Sequence, residues 1–373
     1  MKRFTVFIFV LILAFSFNVS AEEYSAESFI KEQAEISGTG DLDKNLPEET
    51  REYFEKNEID PTDGNWINSF NLGKIFGDLW QAVKDKIKAP ISCMGLILAI
   101  VLISGALNSV GVGITQTALN FAVTAISAAA VTAPLLSVIN SSVGVMQSVS
   151  LFMVAFVPVF GTILTTNGHI ATSVSMSGLL LGAAQVVELI ANHLIVPLIC
   201  GYLSVSVASG VSPLLSKTSI SASIKKLSFW IMSLVTTVFL GILSIQTTVN
   251  ASADTLTIKT AKFIIGSSVP MAGTVLSEAL STVTASLGIL KTSVAIYGVV
   301  ACVVILLPIL LELLLWRLCL SVTAIACDVL SAELMGKLLR SIDGAIAVLC
   351  GIILLTGALF IISLSVLVTV SKV

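Results

Sequence analysis

The residues that could carry out chemistry in this chain are ionisable side chains inside long apolar stretches. Glu188 and His193 lie in one such stretch with Asn192 between them, and Glu312 lies in another. A charge within a lipid bilayer is energetically costly, so ionisable residues in membrane segments are functional candidates. Their residue types suit a proton or ion relay. The alternative is hydrogen bonding between helices that only stabilises a bundle, and the sequence leaves both interpretations open.

The spacing of these residues limits the chemistry further. Glu188 and Asn192 are one helical turn apart and share a helix face, whereas His193 is turned away from that face. Glu278 is a further candidate, a short distance after Pro270. The sequence contains no Ser/His/Asp set, no paired catalytic carboxylates, no phosphate-binding glycine loop and no HExxH motif. We therefore expect no catalytic residue, no cofactor and no metal site, and we do not expect an enzyme.

Two short motifs of the form VPxxGT are the most distinctive local pattern. Val157–Thr162 is echoed later in the chain by Val269–Thr274. Proline removes a backbone donor, and glycine lets another backbone approach closely. The pattern is typical of broken helices that line a channel, and it equally suits kinks that only shape a bundle. The candidate lining residues are Pro158, Gly161 and Thr162 in the first motif and Pro270, Gly273 and Thr274 in the second.

More distant landmarks indicate that the two motifs belong to internal repeats. Pro197 follows the proline of the first motif, and Pro308 follows that of the second at nearly the same separation. Duplicated halves with interrupted helices are common among membrane transporters. We therefore predict repeats over about 118–226 and 227–343, followed by a final helix over 345–370.

The elements that must position these residues follow from composition. The chain is 55% hydrophobic and only 12% charged, against about 25% charged residues in soluble domains. Apolar stretches of about 20 residues are long enough to cross a bilayer as helices. The sequence therefore predicts an all-α polytopic membrane domain over 91–373. Its apolar stretches cover about 91–110, 118–139, 143–166, 178–208, 227–249, 293–321 and 345–370.

The first ninety residues differ from the rest. Lys2 and Arg3 precede a short apolar run, and a small-x-small sequence ends at Ala21, which predicts a signal peptide over 1–21. An uncleaved first membrane helix is the alternative. Residues 22–90 hold most of the acidic residues of the chain, so we expect an acidic extracytoplasmic segment. It should contain two short helices near 24–36 and 47–57 and an amphipathic helix over 66–88. That helix is an interfacial anchor or a docking face for a partner, or it only packs on neighbouring loops.

Charge placement predicts how the membrane domain is threaded. Cytoplasmic loops carry an excess of lysine and arginine. That rule is satisfied at Lys225 and Arg340 if 143–177 and 255–290 are re-entrant hairpins that do not cross the membrane. The two repeats then have the same orientation. The scheme leaves Lys259, Lys262 and Lys291 on the extracytoplasmic side.

The order of these features resembles the stage III sporulation protein AE family of endospore-forming bacteria. The resemblance rests on the signal peptide, the acidic segment, the polytopic region and the two VPxxGT motifs, and it covers nearly the whole chain. It implies a permease-like or export-gate-like component of a transenvelope channel or feeding complex that links mother cell and forespore and is required for late forespore development. It also implies a mother-cell membrane location facing the forespore. The implied partners are ring-forming subunits and an ATPase. Membrane lipid as a partner follows from the apolar composition, and nucleic acid is not expected because the sequence has no basic cluster with interleaved aromatics.

Two other functions fit the residues alone. An independent secondary transporter coupled to ions or protons would use Glu188 or Glu312 in a wet cavity. A membrane scaffold that conducts nothing would use the VPxxGT motifs only for folding and partner recruitment.

Overall fold

The computed structural model of the chain is helical throughout the part that it describes. Every regular element within that part is a helix, which confirms the all-α fold class. The proposed signal peptide over 1–21 lies outside the described residues. These residues are 26–62, 66–69, 72–108, 114–190, 193, 196–211, 220–268, 273–330 and 332–370.

The acidic segment forms short helices where the sequence predicts them. Gly38 has φ +75°, a left-handed conformation that glycine adopts without steric penalty, and it ends the first helix. Helix α2 follows Pro47 and carries two glutamates in its first turn, where they face the positive end of the helix dipole. The elements are α1 (Ala26–Ser37), a 3-10 helix (Thr39–Asn45), α2 (Glu48–Lys56), α3 (Trp66–Ser69), α4 (Leu72–Val83) and a 3-10 helix (Lys84–Ile87).

Long apolar helices make up the remainder. They are α5 (Lys88–Asn108), α6 (Ile114–Thr166), α7 (Ile170–Leu189), α8 (Val196–Val211), α9 (Ile220–Ser268), α10 (Gly273–Val329) and α11 (Glu333–Val370). Five of the described helices contain stretches long and apolar enough to cross a membrane, and the chain is thus a multi-pass membrane protein. The five stretches are Phe121–Thr166, Ile170–Leu189, Ser223–Leu256, Leu287–Val329 and Glu333–Val366.

Helix α6 corrects one boundary expected from the sequence. The stretches 118–139 and 143–166 are parts of a single helix of 53 residues, and they are not two elements. The polar residues between them do not end the helix, because Ser142 Oγ donates to the carbonyl of Val138 at 2.8 Å within it. The arm of the proposed hairpin over 143–177 is therefore the end of a longer helix, and its turn lies at residues 167–169.

Cross-helix contacts fix the direction of each helix. Ser150 Oγ donates to the carbonyl of Ala184 at 2.9 Å and Ser173 Oγ to that of Gly161 at 2.7 Å, so α6 and α7 are antiparallel. Similar contacts show that α7 is antiparallel to α9 and α10 to α11. Helices α6, α9 and α11 thus run one way, and α7 and α10 run the other. The bundle has a turn end, which carries residues 167–169, and a basic end, which carries Lys225 and Arg340.

Candidate functional site

The first VPxxGT motif lies inside α6 and packs that helix against α7. Pro158 and Thr162 are exposed, and Thr162 Oγ1 donates to the carbonyl of Pro158 at 3.0 Å. Gly161 is buried, and a Cβ there would lie 3.0 Å from the Oγ of Ser177. Its carbonyl accepts from Ser173 Oγ. The glycine thus permits a close approach of two helices, and the proline does not break α6.

The second motif lies at the start of α10. Pro270 is outside the described residues, whereas Gly273, Thr274 and Glu278 lie on the first turns of the helix. Their position at a helix start differs from the mid-helix position of the first motif. The proposed equivalence of the two motifs stays a prediction.

The predicted ionisable candidates lie at separate places. Glu188, in the last turn of α7, and His193, after that helix, are both exposed, and Asn192 is outside the described residues. The carboxylate of Glu312 on α10 lies 3.2 Å from Lys86 Nζ, just before α5. Only 13% of the Glu312 side chain is exposed. Because a mostly buried charge needs a counter-charge, Lys86 ties the end of the acidic segment to α10.

A buried carboxylate at the turn end is the most elaborate polar feature that we find in the described residues. Asp254 on α9 is 3% exposed. Its two oxygens accept from the backbone N–H groups of Ala171 at 2.9 Å and Thr172 at 3.2 Å. The first N–H groups of a helix lack partners within the helix and carry partial positive charge. Asp254 therefore caps α7 from a different helix and fixes α7 against α9.

A histidine lies beside this carboxylate, and a buried lysine acts on the histidine. Nδ1 of His169, the residue before α7, lies 3.6 Å from a carboxylate oxygen of Asp254. Burial lowers the pKa of His169, and the charge of Lys291 lowers it further, while Asp254 acts in the opposite direction. Lys291 on α10 is itself buried. His169 is consequently neutral at pH 7, and the turn end combines a neutral imidazole, a carboxylate and an ammonium group.

Polar side chains continue from Asp254 along α9. Gln246 and Asn250 precede it at successive turns of the helix, so the three lie on one helix face. Ser175 Oγ on α7 donates to Asn250 Oδ1 at 3.2 Å, which shows that this face meets α7. We call the five residues Gln246, Asn250, Asp254, Thr172 and Ser175 the polar seam.

The acidic segment packs on α10 near the turn end. The hydroxyl of Tyr297 donates to the carboxylate of Asp43, and the ring of Phe54 meets that of Tyr297 edge-on with centroids 4.9 Å apart. Ser293 Oγ donates to the carbonyl of Pro61 at 3.2 Å. Burial raises the pKa of Asp43, against the lowering effect of the Tyr297 hydrogen bond. The segment is thus joined to the membrane helices by apolar and polar contacts.

Sequence reasoning missed Asp254 as a site residue. It is one of the few acidic residues after residue 90, and it follows Gln246 and Asn250 at helical spacing. This polar stripe on α9 could have identified Asp254 from the sequence. The hydrogen-bond partners of Asp254 could not have been identified, because they are backbone groups in a distant part of the sequence.

Comparison with known proteins gives two matches. The sequence profile described as Stage III sporulation protein AE matches residues 62–371, which include the whole polar seam. The stage III sporulation protein AE of Bacillus subtilis (strain 168) is 26% identical over 161 residues, which are 43% of this chain and 40% of that protein. No solved structure matches the chain.

Proposed function

Because the chain belongs to the stage III sporulation protein AE family, we propose that it is a membrane component of the transenvelope channel or feeding complex that links mother cell and forespore. In this proposal it is required for late forespore development, lies in the mother-cell membrane facing the forespore, and has a permease-like or export-gate-like role. The role is not enzymatic. The family match over residues 62–371 is the observation that carries the proposal.

The attachment of the acidic segment supports this role. The segment is held on α10 by Tyr297 and Ser293 and by the ion pair of Glu312 with Lys86. Helix α6 has 53 residues and α10 has 57, so each is about 80 Å long. A bilayer core is about 30 Å thick. Helices of this length reach well beyond the lipid, and together with the acidic segment they would form a body between the two cell membranes.

Each end of the bundle suits one class of partner. With the acidic segment exported, the turn end faces the space between the membranes, where ring-forming subunits would meet it. The basic end then faces the cytoplasm, in agreement with the excess of lysine and arginine expected there. An ATPase partner would dock on that side. Residues that define the basic end are Lys225, Lys226, Arg317, Lys337 and Arg340.

A complementation experiment tests the proposal. A strain lacking the gene would receive the wild-type protein, the Phe54→Ala variant or the Ile36→Ala control, with protein level followed by immunoblot. Phe54 is fully buried at the Tyr297 contact, whereas Ile36 is 63% exposed on the same segment. We expect the deletion and Phe54→Ala to lose late forespore gene expression and heat-resistant spores, and Ile36→Ala to keep them.

The same experiment separates the alternatives. Normal spores and normal late forespore expression in the deletion strain would overturn the proposal. In that case, ion uptake by the purified protein in liposomes, abolished by Glu188→Gln or Glu312→Gln, would indicate an independent transporter. A scaffold would recruit its partners normally and would show no ion uptake in liposomes.

A further inference from the structure

Three buried polar atoms of the polar seam have no hydrogen-bond partner. They are Asn250 Nδ2, Thr172 Oγ1 and Gln246 Oε1. Asn250 is 5% exposed and Thr172 is fully buried. Leaving a buried donor or acceptor unpaired costs about 1–3 kcal/mol per group. Three such atoms along one interface therefore indicate that something polar lies between the two helices.

The surrounding contacts place these three atoms at the interface of α7 with α9. The Ser175 hydroxyl occupies Asn250 Oδ1, which leaves the Nδ2 donors of that amide available. The backbone N–H of Thr172 is held by Asp254, one turn from Asn250 on α9. Gln246 is one turn further along the same face. The unpaired atoms thus follow one another along the contact of α7 with α9.

The chemistry of the three atoms matches one small ligand. An amide N–H can only donate, a glutamine carbonyl can only accept, and a hydroxyl can do both. Water molecules can accept from Asn250, donate to Gln246 and take either role towards Thr172, and more than one is needed because Gln246 and Asp254 are about 12 Å apart along α9. Buried waters in proteins make about three such bonds. We propose that the polar seam is a binding site for internal water between α7 and α9.

The seam ends at the turn end, where Gly168 and His169 are partly exposed. His169 is neutral at pH 7 and lies against Asp254, so polar groups lie between the seam and the surface of the bundle there. Water bound there would hydrate an interface within a bundle whose other contacts are largely apolar. The site does not depend on the role in sporulation.

Two asparagines provide a matched test. Asn167 and Asn250 are equally buried, at 6% and 5% exposed. Nδ2 of Asn167 donates to the carbonyls of Ile163 at 3.1 Å and Leu287 at 3.2 Å, whereas Nδ2 of Asn250 has no partner. Water-edited solid-state NMR of the full chain in lipid bilayers would measure magnetisation transfer from water to each side-chain amide. The two signals are assigned by their loss in Asn167→Ala and Asn250→Ala.

We expect rapid transfer from water to the Asn250 amide and at least threefold slower transfer to that of Asn167. Equal rates at both amides, or slow transfer at both, would overturn the proposal. A second measurement uses the quadruple variant Thr172→Val, Ser175→Ala, Gln246→Leu, Asn250→Leu, which removes the partners of the water together with the Ser175 hydroxyl that would otherwise lose its acceptor. Its thermal midpoint in detergent should stay within about 3 °C of wild type, since removing all partners of a polar group is nearly neutral. A much larger fall would mean that Asn250 Nδ2, Thr172 Oγ1 and Gln246 Oε1 have partners within the protein, and that also overturns the water site.

Discussion

The interface of α10 with α11 and the interface of α7 with α9 have opposite compositions. Between α10 and α11, Leu364 contacts the position of Gly298 and Leu306 that of Gly357, all among fully or nearly fully buried apolar residues. Between α7 and α9, the hydrogen bonds that we find in the described residues are those of the polar seam. In an apolar window of 18 residues, 67% of the residues are buried in the bundle for α10 and for α11, against 17% for α9. Packing holds the first pair together, whereas the second depends on a few hydrogen bonds.

Asp254→Ala should have the largest effect, because it removes the acceptor of two hydrogen bonds between α7 and α9. It leaves the N–H groups of Ala171 and Thr172 without an acceptor, and each such loss costs roughly 2 kcal/mol, about 4 kcal/mol in total. Thermal unfolding of the purified protein in detergent, followed by tryptophan fluorescence, measures the change. Asp254→Asn is the control and should cost about half as much, since one amide oxygen remains to accept. Equal losses for both variants would show that the two hydrogen bonds do not hold α7 to α9.

Leu364→Ala probes the apolar interface in the same assay. Leu364 is completely buried against α10, so its truncation should lower the free energy of unfolding by about 3 kcal/mol. Leu364→Met keeps most of the volume and should cost less than about 1.5 kcal/mol. If Leu364→Met were as harmful as the alanine variant, the interface would depend on side-chain shape more than on buried volume.

Arg340→Ala tests whether polar contacts matter at the α10–α11 interface. Arg340 forms a two-pronged ion pair with Asp328, but both side chains are about half exposed. Solvent-exposed pairs contribute about 0–1 kcal/mol. The thermal midpoint should therefore change by no more than about 3 °C. A loss as large as that of Asp254→Ala would remove the contrast between the two interfaces.

The smallest effect should be a dependence of stability on pH through His169. Burial, assisted by Lys291, lowers its pKa in the folded protein below the ordinary value of 6.5. Between the two pKa values the unfolded chain binds more protons, so acidification favours unfolding. Stability should fall as pH drops below about 6.5. His169→Gln should remove that part of the fall, as measured by thermal midpoints from about pH 7.5 to about pH 5.5, and an unchanged profile would contradict the assignment.

The sequence patterns predicted the presence of the helices better than the residues at which they begin and end. Long apolar stretches predicted a helical membrane domain, and turn residues around Gly38 and Pro47 predicted the two short helices of the acidic segment. The break expected near residue 140 was wrong, because Ser142 satisfies its hydroxyl inside α6. A polar residue ends a helix only when its side chain competes successfully for backbone groups, and local sequence does not show whether it does.

The observed helix directions are compatible with a simpler path than the predicted threading. If α6 crosses the membrane once, Lys225 and Arg340 lie on the side opposite to the turn end, as in the re-entrant scheme. Lys291, which that scheme left on the extracytoplasmic side, lies at the turn end beside His169. The side of the membrane that each end faces stays a prediction.

The candidate site was only partly predictable. Gly161 was selected from its motif, although its role is a close contact between α6 and α7 and not a broken helix. Asp254 could not be selected from its partners, since backbone N–H groups leave no mark in the sequence. Glu312 was selected as a charge within an apolar stretch, and the fold brings Lys86 to it from a distant part of the chain. Pairings between such distant residues are a property of the fold alone.

The acidic segment is attached to α10 at points that are well separated along the helix, and this has a mechanical consequence. Tyr297 holds Asp43 and Glu312 holds Lys86, and the two points are separated along α10 by about 22 Å, at the helical rise of about 1.5 Å per residue. Helix α10 continues unbroken through this interval. A force on the segment along the axis of α10 therefore acts on the Tyr297–Asp43 and Glu312–Lys86 contacts together, in shear. The two contacts do not have to break one after the other. The segment and the helix together can therefore transmit a pulling force along the axis of α10.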